Sequence, residues 1–239
     1  SMKFAIIAAG EGSRLAHEGV AVPKPLVRVG GEALVERLVR IFGNNGADET
    51  VVIVNTIHPA TGQFVRAMQE RMEPGRLRVV FKTTPGSMYS FREIAPFLAD
   101  GPFCLTTVDT IFREDEFARY IETFRTSDAD GLMAVTDYVD DEKPLYVATD
   151  GELNICGFHD ACEGDRYVSG GIYCLKPGVL PVLDACMAAG NVRMRSFQRA
   201  LVTAGFRLKA YPFTKILDVD HVADVEKAEA FLRTAPAAR

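Results

Sequence analysis

Residues 3–15 read KFAIIAAGEGSRL, an apolar run followed by a glycine-rich turn. The run from Lys3 to Ala8 predicts a buried β-strand, because it is short, apolar and closed by turn residues. In the turn, Gly10 and Gly12 stand one residue apart. Glycine lets the backbone approach a ligand closely and direct its N–H groups toward an anion. The stretch therefore predicts a phosphate-binding turn at the end of the first strand of an α/β fold.

The turn differs from the fingerprint that binds dinucleotides. That fingerprint, Gly-x-Gly-x-x-Gly, requires a third glycine where the chain has Leu15. The hydroxyl of Ser13 and the guanidinium of Arg14 instead add side-chain donors to those of the backbone. We therefore expect a small polyanion at this turn rather than a dinucleotide.

A second candidate cation, Lys24, follows ten residues after Arg14. It lies between Pro23 and Pro25, which stiffen the backbone and limit where its ammonium group can point. The first 40 residues contain six Lys or Arg against four Glu, although the whole chain carries a formal net charge of −5. Local positive charge on an acidic protein suits a small anionic ligand and gives no basic footprint for nucleic acid.

Short apolar segments alternate with helical patterns along the first half of the chain. Strands are predicted at residues 3–8, 50–55, 78–82, 103–107 and 132–136, with helical spacing of apolar residues between them. This alternation predicts βαβ units around a parallel sheet. The less regular second half predicts strands at 145–149, 172–175 and 207–212 and helices at 177–188, 194–204 and 222–232. We therefore expect a single α/β domain over residues 1–239, with a Rossmann-like central mixed, mostly parallel sheet flanked by helices.

The composition restricts the functions that the chain can have. The apolar run at residues 4–9 is shorter than a signal-peptide core, and no run approaches the roughly 18 residues that cross a bilayer. The five cysteines are odd in number and contain no Cys-x-x-Cys pair, as expected for reduced thiols. We expect a cytoplasmic protein that binds neither membranes nor nucleic acid, and its oligomeric state stays open.

Three motifs together resemble the opening signature of the sugar-phosphate nucleotidyltransferases: AAGEGSRL at residues 8–15, PKPL at 23–26 and VGGEALV at 29–35. These enzymes join the nucleotide of a nucleoside triphosphate to a sugar 1-phosphate and release pyrophosphate. The resemblance implies the family's α/β fold, and a nucleoside triphosphate and a phosphorylated small molecule as ligands. It implies catalytic roles for Arg14 and Lys24, which would neutralise phosphate charge. The residues expected to contact the nucleotide are Ala8, Ala9, Gly10, Gly12, Ser13, Gly86 and Ser87.

Two aspartates are candidates for holding Mg²⁺. Asp109 follows the fourth predicted strand, where a carboxylate can hold a hard cation that bridges phosphates. The resemblance implies a second ligand in the stretch LDVDHVADVEKAE at residues 217–229. Asp220 matches best by its distance from Val225, and Asp218 lies on the same face of an extended segment. We therefore expect Mg²⁺ at Asp109 together with Asp220, with Asp218 as the alternative second ligand.

Two further segments resemble the parts of the family that surround the base and the sugar. PGSM at residues 85–88 is similar to the small-residue segment against which the base packs. VSGGIY at residues 168–173 is similar to an Asn-x-Gly-Ile-Tyr segment beside the sugar, which implies Ser169 and Gly171 as acceptor-binding residues. Ser169 stands where asparagine is usual, and Val108 stands where glycine usually precedes the metal-binding aspartate. The identity of the sugar is therefore open.

The same motifs are compatible with other functions. A sugar 1-phosphate is the expected acceptor, but a phosphocholine-like acceptor of a cytidylyltransferase is also compatible. A non-catalytic domain that senses nucleotide sugars is favoured by Val108 and Ser169, and disfavoured by the joint presence of Arg14, Lys24 and the acidic pair. A glycosyltransferase is disfavoured because Asp109 is not part of an Asp-x-Asp element. The residues whose roles stay open are Lys143, Glu163 and Lys215.

Overall fold

The computed structural model describes residues 1–234, which form one large sheet with helices on both faces. The strands are β1 (Met2–Ala8), β2 (Arg28–Val29), β3 (Glu32–Ala33), β4 (Ala47–Val54), β5 (Leu77–Phe81), β6 (Phe103–Thr107), β7 (Thr110–Ile111), β8 (Gly131–Thr136), β9 (Tyr146–Thr149), β10 (Ile155–His159), β11 (Tyr167–Leu175), β12 (Leu208–Phe213) and β13 (Leu217–Asp218). The helices are α1 (Ser13–His17), α2 (Leu34–Asn44), α3 (Pro59–Arg71), α4 (Ser87–Ile94), α5 (Glu114–Arg125), α6 (Pro181–Ala188), α7 (Met194–Thr203) and α8 (Val222–Arg233). None of the helices in this part of the chain is long and apolar enough to cross a membrane.

Four parallel strands form the centre of the sheet, in the order β6-β1-β4-β5. The chain builds outward from β1 through β4 to β5, and then returns to the opposite side of β1 with β6. Such a reversal of strand order opens a crevice at the carboxyl ends of β1 and β6. In open α/β sheets, ligands bind in this crevice.

The second half of the chain extends the sheet with antiparallel strands. β11 pairs antiparallel with β6, β8 and β9, and β12 pairs in parallel with β8. A register shift between Ser169 and Tyr173 marks an irregularity in β11, as expected where a strand bends between partners. The α/β fold expected from the sequence, with a central mixed sheet flanked by helices, is confirmed.

Alternate residues of β1 build two apolar cores, one on each face of the sheet. Phe4 and Ile6 belong to the core that α2 and α5 cover, and the ring of Phe4 stacks on that of Phe42 with centroids 4.7 Å apart. Ala5 and Ile7 belong to the core that α4 and α7 cover. All of these side chains are buried. Because both faces are packed, the end of β1 is a rigid base for the turn that follows it.

Several strands were not expected from the sequence, among them β10 and the two-residue strands. β7 and β13 have two residues each, too few to show a period-two pattern. They pair antiparallel, which places Asp218 opposite Thr110. This pairing brings the segment before α8 to the carboxyl end of β6.

Candidate active site

The candidate active site lies in the crevice at the carboxyl ends of β1 and β6. The glycine-rich turn leaves β1 after Ala8, and Asp109 follows the last residue of β6 by two positions. The backbone N–H of Val108, in the loop after β6, donates to the carbonyl of Ile7 in β1 at 3.0 Å. The turn and the aspartate are therefore neighbours although they are distant in the sequence.

Gly12 sets the distance between the glycine-rich turn and Lys24. Its φ of 63° lies in the left-handed region, which side chains other than glycine adopt at a cost. A Cβ at this position would lie 3.0 Å from the Cβ of Lys24. The carbonyl of Gly12 also accepts a hydrogen bond from the N–H of Ala16 at 3.2 Å, at the start of α1. Both the backbone conformation and the close approach of Lys24 therefore require glycine.

Asn55, which the sequence analysis does not single out, holds the turn from the end of β4. Its side chain is 5% exposed, and its amide nitrogen donates to the carbonyls of Ala9 at 3.2 Å and Gly10 at 3.1 Å. Its amide oxygen accepts hydrogen bonds from the N–H groups of Ile57 and His58. Asn55 therefore fixes the backbone of the turn. The available signal was a polar residue at the end of the apolar run VVIVN.

Lys24 lies between the two aspartates that the sequence analysis proposed as metal ligands. Its Nζ is 3.2 Å from Oδ2 of Asp109 and 2.7 Å from Oδ1 of Asp220. The backbone N–H of Val219 donates to the carbonyl of Asp109 at 3.0 Å, so the two acidic segments are also joined through the main chain. The structure thus brings one predicted cation and both predicted acidic residues into a single cluster.

The charges in this cluster shift the pKa of each member. Burial raises the pKa of Asp109, and Lys24 opposes that effect. Burial alone would raise the pKa of Asp220, but the nearby Lys24 and Arg14 hold it below its ordinary value. Burial lowers the pKa of Lys24, and the two carboxylates more than reverse this effect. The ammonium group and at least the Asp220 carboxylate are therefore charged near neutral pH.

Asp218 lies beside this cluster on β13. Burial raises the pKa of its carboxyl group well above the ordinary value, and Asp109 and Asp220 add to the rise. Solvent still reaches the side chain, because it lines the crevice rather than the core. In residues 1–234 it forms no ion pair within 4.0 Å. Asp218 is therefore a third carboxylate at the site, and the choice between Asp218 and Asp220 as second metal ligand stays a prediction.

The side chains at the cluster fit a divalent cation. The ammonium of Lys24 already sits between two carboxylates, so the position is built for positive charge. Within the part of the chain that the structure describes, no group of three or more His, Cys, Asp or Glu side chains has the geometry of a complete metal site. Mg²⁺ needs only one or two protein carboxylates and takes its other ligands from phosphates and water. Asp109 with Asp220 or Asp218 satisfies that requirement.

Arg14 lies at the rim of the crevice, with half of its side chain exposed. Its guanidinium is 3.8 Å from Asp220 and 3.9 Å from Glu142, both long for an ion pair. Glu142 belongs to the charged loop before β9 and also contacts His221 at 3.2 Å. The arginine is therefore loosely held and is available to an incoming anion.

A cavity of about 380 Å³ lies between the glycine-rich turn and the N-terminus of α4. A Cβ on Gly86 would lie 2.6 Å from the carbonyl oxygen of Val192, which accepts a hydrogen bond from the N–H of Met88 at 3.1 Å. The backbone at Gly86 therefore packs closely against Val192 and leaves no room for a side chain. Ser13 begins α1 and does not line the cavity. The predicted nucleotide contacts that line it are Ala8, Ala9, Gly10, Gly12, Gly86 and Ser87.

A second cavity, of about 400 Å³, adjoins the first at Ser87 and Asp109, which line both. We name it the acceptor cavity, because Ser169 and Gly171, the acceptor-binding residues expected from the sequence, line it. The side chain of Arg195 donates to the carbonyl of Lys143 at 2.9 Å and pairs with Asp160 at 2.8 Å. The acceptor cavity is lined by the predicted residues Ser169 and Gly171 and by Lys143, whose role the sequence left open. It is also lined by two arginines that the sequence analysis missed, Arg193 and Arg195.

Glu163 and Lys215, whose roles the sequence left open, line neither of these cavities. Glu163 is 3.5 Å from His159, four residues earlier. The Nζ of Lys215 lies 4.3 Å from the ring centroid of Tyr138, a cation–π contact. Glu163 therefore makes a local contact, and Lys215 packs on an aromatic ring from the segment after β8.

Comparison with known families matches residues 4–204 to the MobA-like NTP transferase domain. Among curated proteins, the bifunctional protein GlmU of Synechococcus sp. (strain CC9605) is 22% identical over an alignment 248 residues long that includes 97% of this chain and 52% of GlmU. The chain thus spans about half the length of this relative.

Two solved structures share the fold over nearly the whole chain. The inositol-1-phosphate CTP transferase from T. maritima has a TM-score of 0.81 and 21% identity, covering 99% of this chain and 98% of that one. A Bacillus anthracis protein assigned as a glucose-1-phosphate thymidylyltransferase, in complex with a sucrose, has a TM-score of 0.85 and 18% identity, covering 100% and 98%. At this level of identity, the likeness describes the fold.

Proposed function

The chain belongs to the MobA-like NTP transferase domain family, and we propose that it transfers a nucleoside monophosphate from a nucleoside triphosphate to a sugar 1-phosphate, releasing pyrophosphate. The inositol-1-phosphate CTP transferase and the glucose-1-phosphate thymidylyltransferase of the same fold support a phosphorylated polyol as acceptor. Two further expectations stay predictions. One is that residues 1–239 form a single nucleotidyltransferase domain, and the other is that the protein is cytoplasmic.

The observation that carries the proposal is the cluster of Lys24, Asp109 and Asp220, with distances of 3.2 and 2.7 Å. Asp109 lines both the cavity at the glycine-rich turn and the acceptor cavity. A triphosphate in the first cavity and a phosphate in the second would therefore meet at this cluster. A domain that only senses nucleotide sugars has no need of such a charged junction, so the cluster favours the enzyme.

The proposed reaction is a direct displacement. A phosphate oxygen of the acceptor attacks the α-phosphorus, a new P–O bond forms, and the bond to the leaving pyrophosphate breaks. The attacking phosphate is already ionised, so no general base is needed, and catalysis consists of positioning and charge stabilisation. Lys24 and Arg14 would neutralise charge on the phosphates, and the turn at Gly10 and Gly12 would bind them through backbone N–H groups. Bound Mg²⁺, held by Asp109 and Asp220, would supply further positive charge.

A pyrophosphate-release screen tests this function. The four common nucleoside triphosphates are each combined with glucose 1-phosphate, myo-inositol 1-phosphate and phosphocholine, with Mg²⁺ or with EDTA. We expect release with at least one polyol phosphate, and none in EDTA, since hard carboxylate sites take Mg²⁺. Absence of release in every combination would contradict the proposed activity, and release in EDTA would contradict the metal requirement.

Gly12→Ala is expected to lower both stability and activity. An L-residue in the left-handed conformation of Gly12 costs about 1–2 kcal/mol, and its Cβ would displace Lys24. Gly43→Ala is the matched control, since Gly43 lies exposed in α2 with nothing within 4 Å of an added Cβ. That variant should gain about 0.5–1 kcal/mol. Urea unfolding and pyrophosphate release measure both, and identical behaviour of the two variants would contradict the role of Gly12.

A further inference from the structure

The buried stripe of α7 contains one polar residue. Its core-facing side chains recur at helical spacing, as Met194, Phe197, Gln198 and Leu201. Gln198 is 2% exposed. Burying an amide costs free energy unless it is hydrogen-bonded, so a glutamine at this position needs hydrogen-bonding partners in the interior.

Gln198 links two side chains of β11. The hydroxyl of Ser169 donates to its amide oxygen at 3.4 Å, and its amide nitrogen donates to the hydroxyl of Tyr173 at 3.3 Å. A glutamine amide offers two N–H donors and an oxygen with two lone pairs. Each end of the amide therefore keeps hydrogen-bonding capacity, and so do the two hydroxyls.

Tyr173 is a donor that stays protonated. Its side chain is 5% exposed, and burial raises the pKa of its hydroxyl above the ordinary value. The hydroxyl accepts from Gln198 and keeps its own proton available to another acceptor. It is thus a neutral group that can donate one hydrogen bond and accept another.

These three side chains line the acceptor cavity, and we name them the polar floor: Ser169, Tyr173 and Gln198. Arg193 and Lys143 line the same cavity and are exposed. Within residues 1–234, neither side chain has an ion pair shorter than 4.0 Å, although Arg195 beside them pairs with Asp160. The cavity thus combines cationic groups suited to a phosphate with a neutral, hydrogen-bonding floor, and the carboxylates of Asp109, Asp141 and Asp218 line it as well.

On the basis of the proposed function, we propose that Gln198 is a positioning residue that orients Ser169 and Tyr173 to bind hydroxyl groups of a phosphorylated polyol acceptor. A ring bearing several hydroxyls satisfies the unused donors and acceptors of the floor. The trimethylammonium group of phosphocholine has no hydrogen-bond donor or acceptor and would leave them unpaired. The polar floor therefore selects for a polyol phosphate and against phosphocholine.

The test measures binding separately from turnover. Glucose 1-phosphate, myo-inositol 1-phosphate and phosphocholine are titrated calorimetrically into the full chain and into Gln198→Met, Tyr173→Phe and Gln63→Met. Methionine nearly preserves the volume and helix propensity of glutamine, and Tyr173→Phe removes only the hydroxyl, so a folding defect in one variant leaves the other informative. Gln63→Met is the control, because Gln63 is exposed on α3.

We expect the unmodified chain to bind at least one polyol phosphate about tenfold more tightly than phosphocholine. Gln198→Met and Tyr173→Phe should each raise the Kd of that polyol phosphate by about tenfold, the scale of one or two lost hydrogen bonds. Where turnover is measurable, KM for the acceptor should rise while KM for the nucleoside triphosphate stays constant, a split that general loosening of the fold would not produce. Gln63→Met should change none of these constants.

Equal or tighter binding of phosphocholine, unchanged polyol affinity in both floor variants, or no binding of either polyol phosphate would overturn the inference. The proposed function fails on different observations. If polyol binding depends on Gln198 but no combination releases pyrophosphate, the proposed nucleotidyl transfer is contradicted and the proposed role of the polar floor in binding still holds. If pyrophosphate is released with phosphocholine and with neither polyol phosphate, the proposed selectivity of the polar floor is contradicted and nucleotidyl transfer as such still holds.

Discussion

Replacing Asp109 with alanine is expected to lower the rate of pyrophosphate release by about a thousandfold, the scale on which active sites depend on charge stabilisation and metal ions. Its carboxylate lies 3.2 Å from the Nζ of Lys24 and lines both cavities. The fold should persist, because the side chain faces the crevice and the bond from Val219 uses the main-chain carbonyl of Asp109.

The control for this prediction is Asp128→Ala. The side chain of Asp128 is 86% exposed and lies 3.4 Å from the guanidinium of Arg207, which is itself exposed, so its loss should change neither rate nor stability. Asp109→Asn keeps the shape and removes the charge, and should resemble Asp109→Ala in rate. Steady-state pyrophosphate release and thermal unfolding are measured for all three variants. Normal turnover in either Asp109 variant would show that the metal is held elsewhere.

Lys24→Met should reduce turnover by about a hundredfold to a thousandfold, as expected for losing a preorganised cation at a site of developing negative charge. It should also reduce stability by about 2 kcal/mol, because Asp109 and Asp220 would lose their shared hydrogen-bonding partner. Only 17% of the Lys24 side chain is exposed, so water compensates little.

The loss of stability in Lys24→Met should depend on divalent cations. With the ammonium gone, Arg14 still lies 3.8 Å from Asp220, but Mg²⁺ would be the cation that both carboxylates share, so the variant should unfold at a higher temperature in Mg²⁺ than in EDTA. The increase should exceed that of the unmodified chain. Lys82→Met, at an exposed position after β5, is the control. Thermal unfolding with and without Mg²⁺ measures the effect. An unfolding temperature of Lys24→Met that is the same in Mg²⁺ and in EDTA would argue against metal binding at this cluster.

The fold was largely predictable because its main elements leave periodic patterns. β1, β4 and β6 are apolar runs, buried on both faces of a parallel sheet, and α2 presents a continuous apolar stripe. β7 and β13 were not predictable, since two residues carry no period. Their pairing nevertheless brings Asp220 to Asp109.

The candidate site could be inferred from the sequence where its residues form local motifs. Gly12, Lys24 and Asp109 each stand in a recognisable segment. Asn55 and Gln198 do not, because a single polar residue in an apolar strand or helix acquires a role only through what packs against it. Their partners lie on other elements: the amide of Asn55 bonds to Ala9 and Gly10, and that of Gln198 bonds to residues of β11.

By itself, the sequence determined the α/β fold and predicted the glycine-rich turn after β1 as a phosphate-binding turn. Both depend on residues adjacent in the chain, whose spacing dictates strand, helix and turn conformation directly. Only the tertiary structure decided that Lys24 lies between Asp109 and Asp220, and that Gln198 joins Ser169 to Tyr173. Those contacts depend on the order and register of strands from distant parts of the chain, which follow from packing the whole core and not from any local pattern.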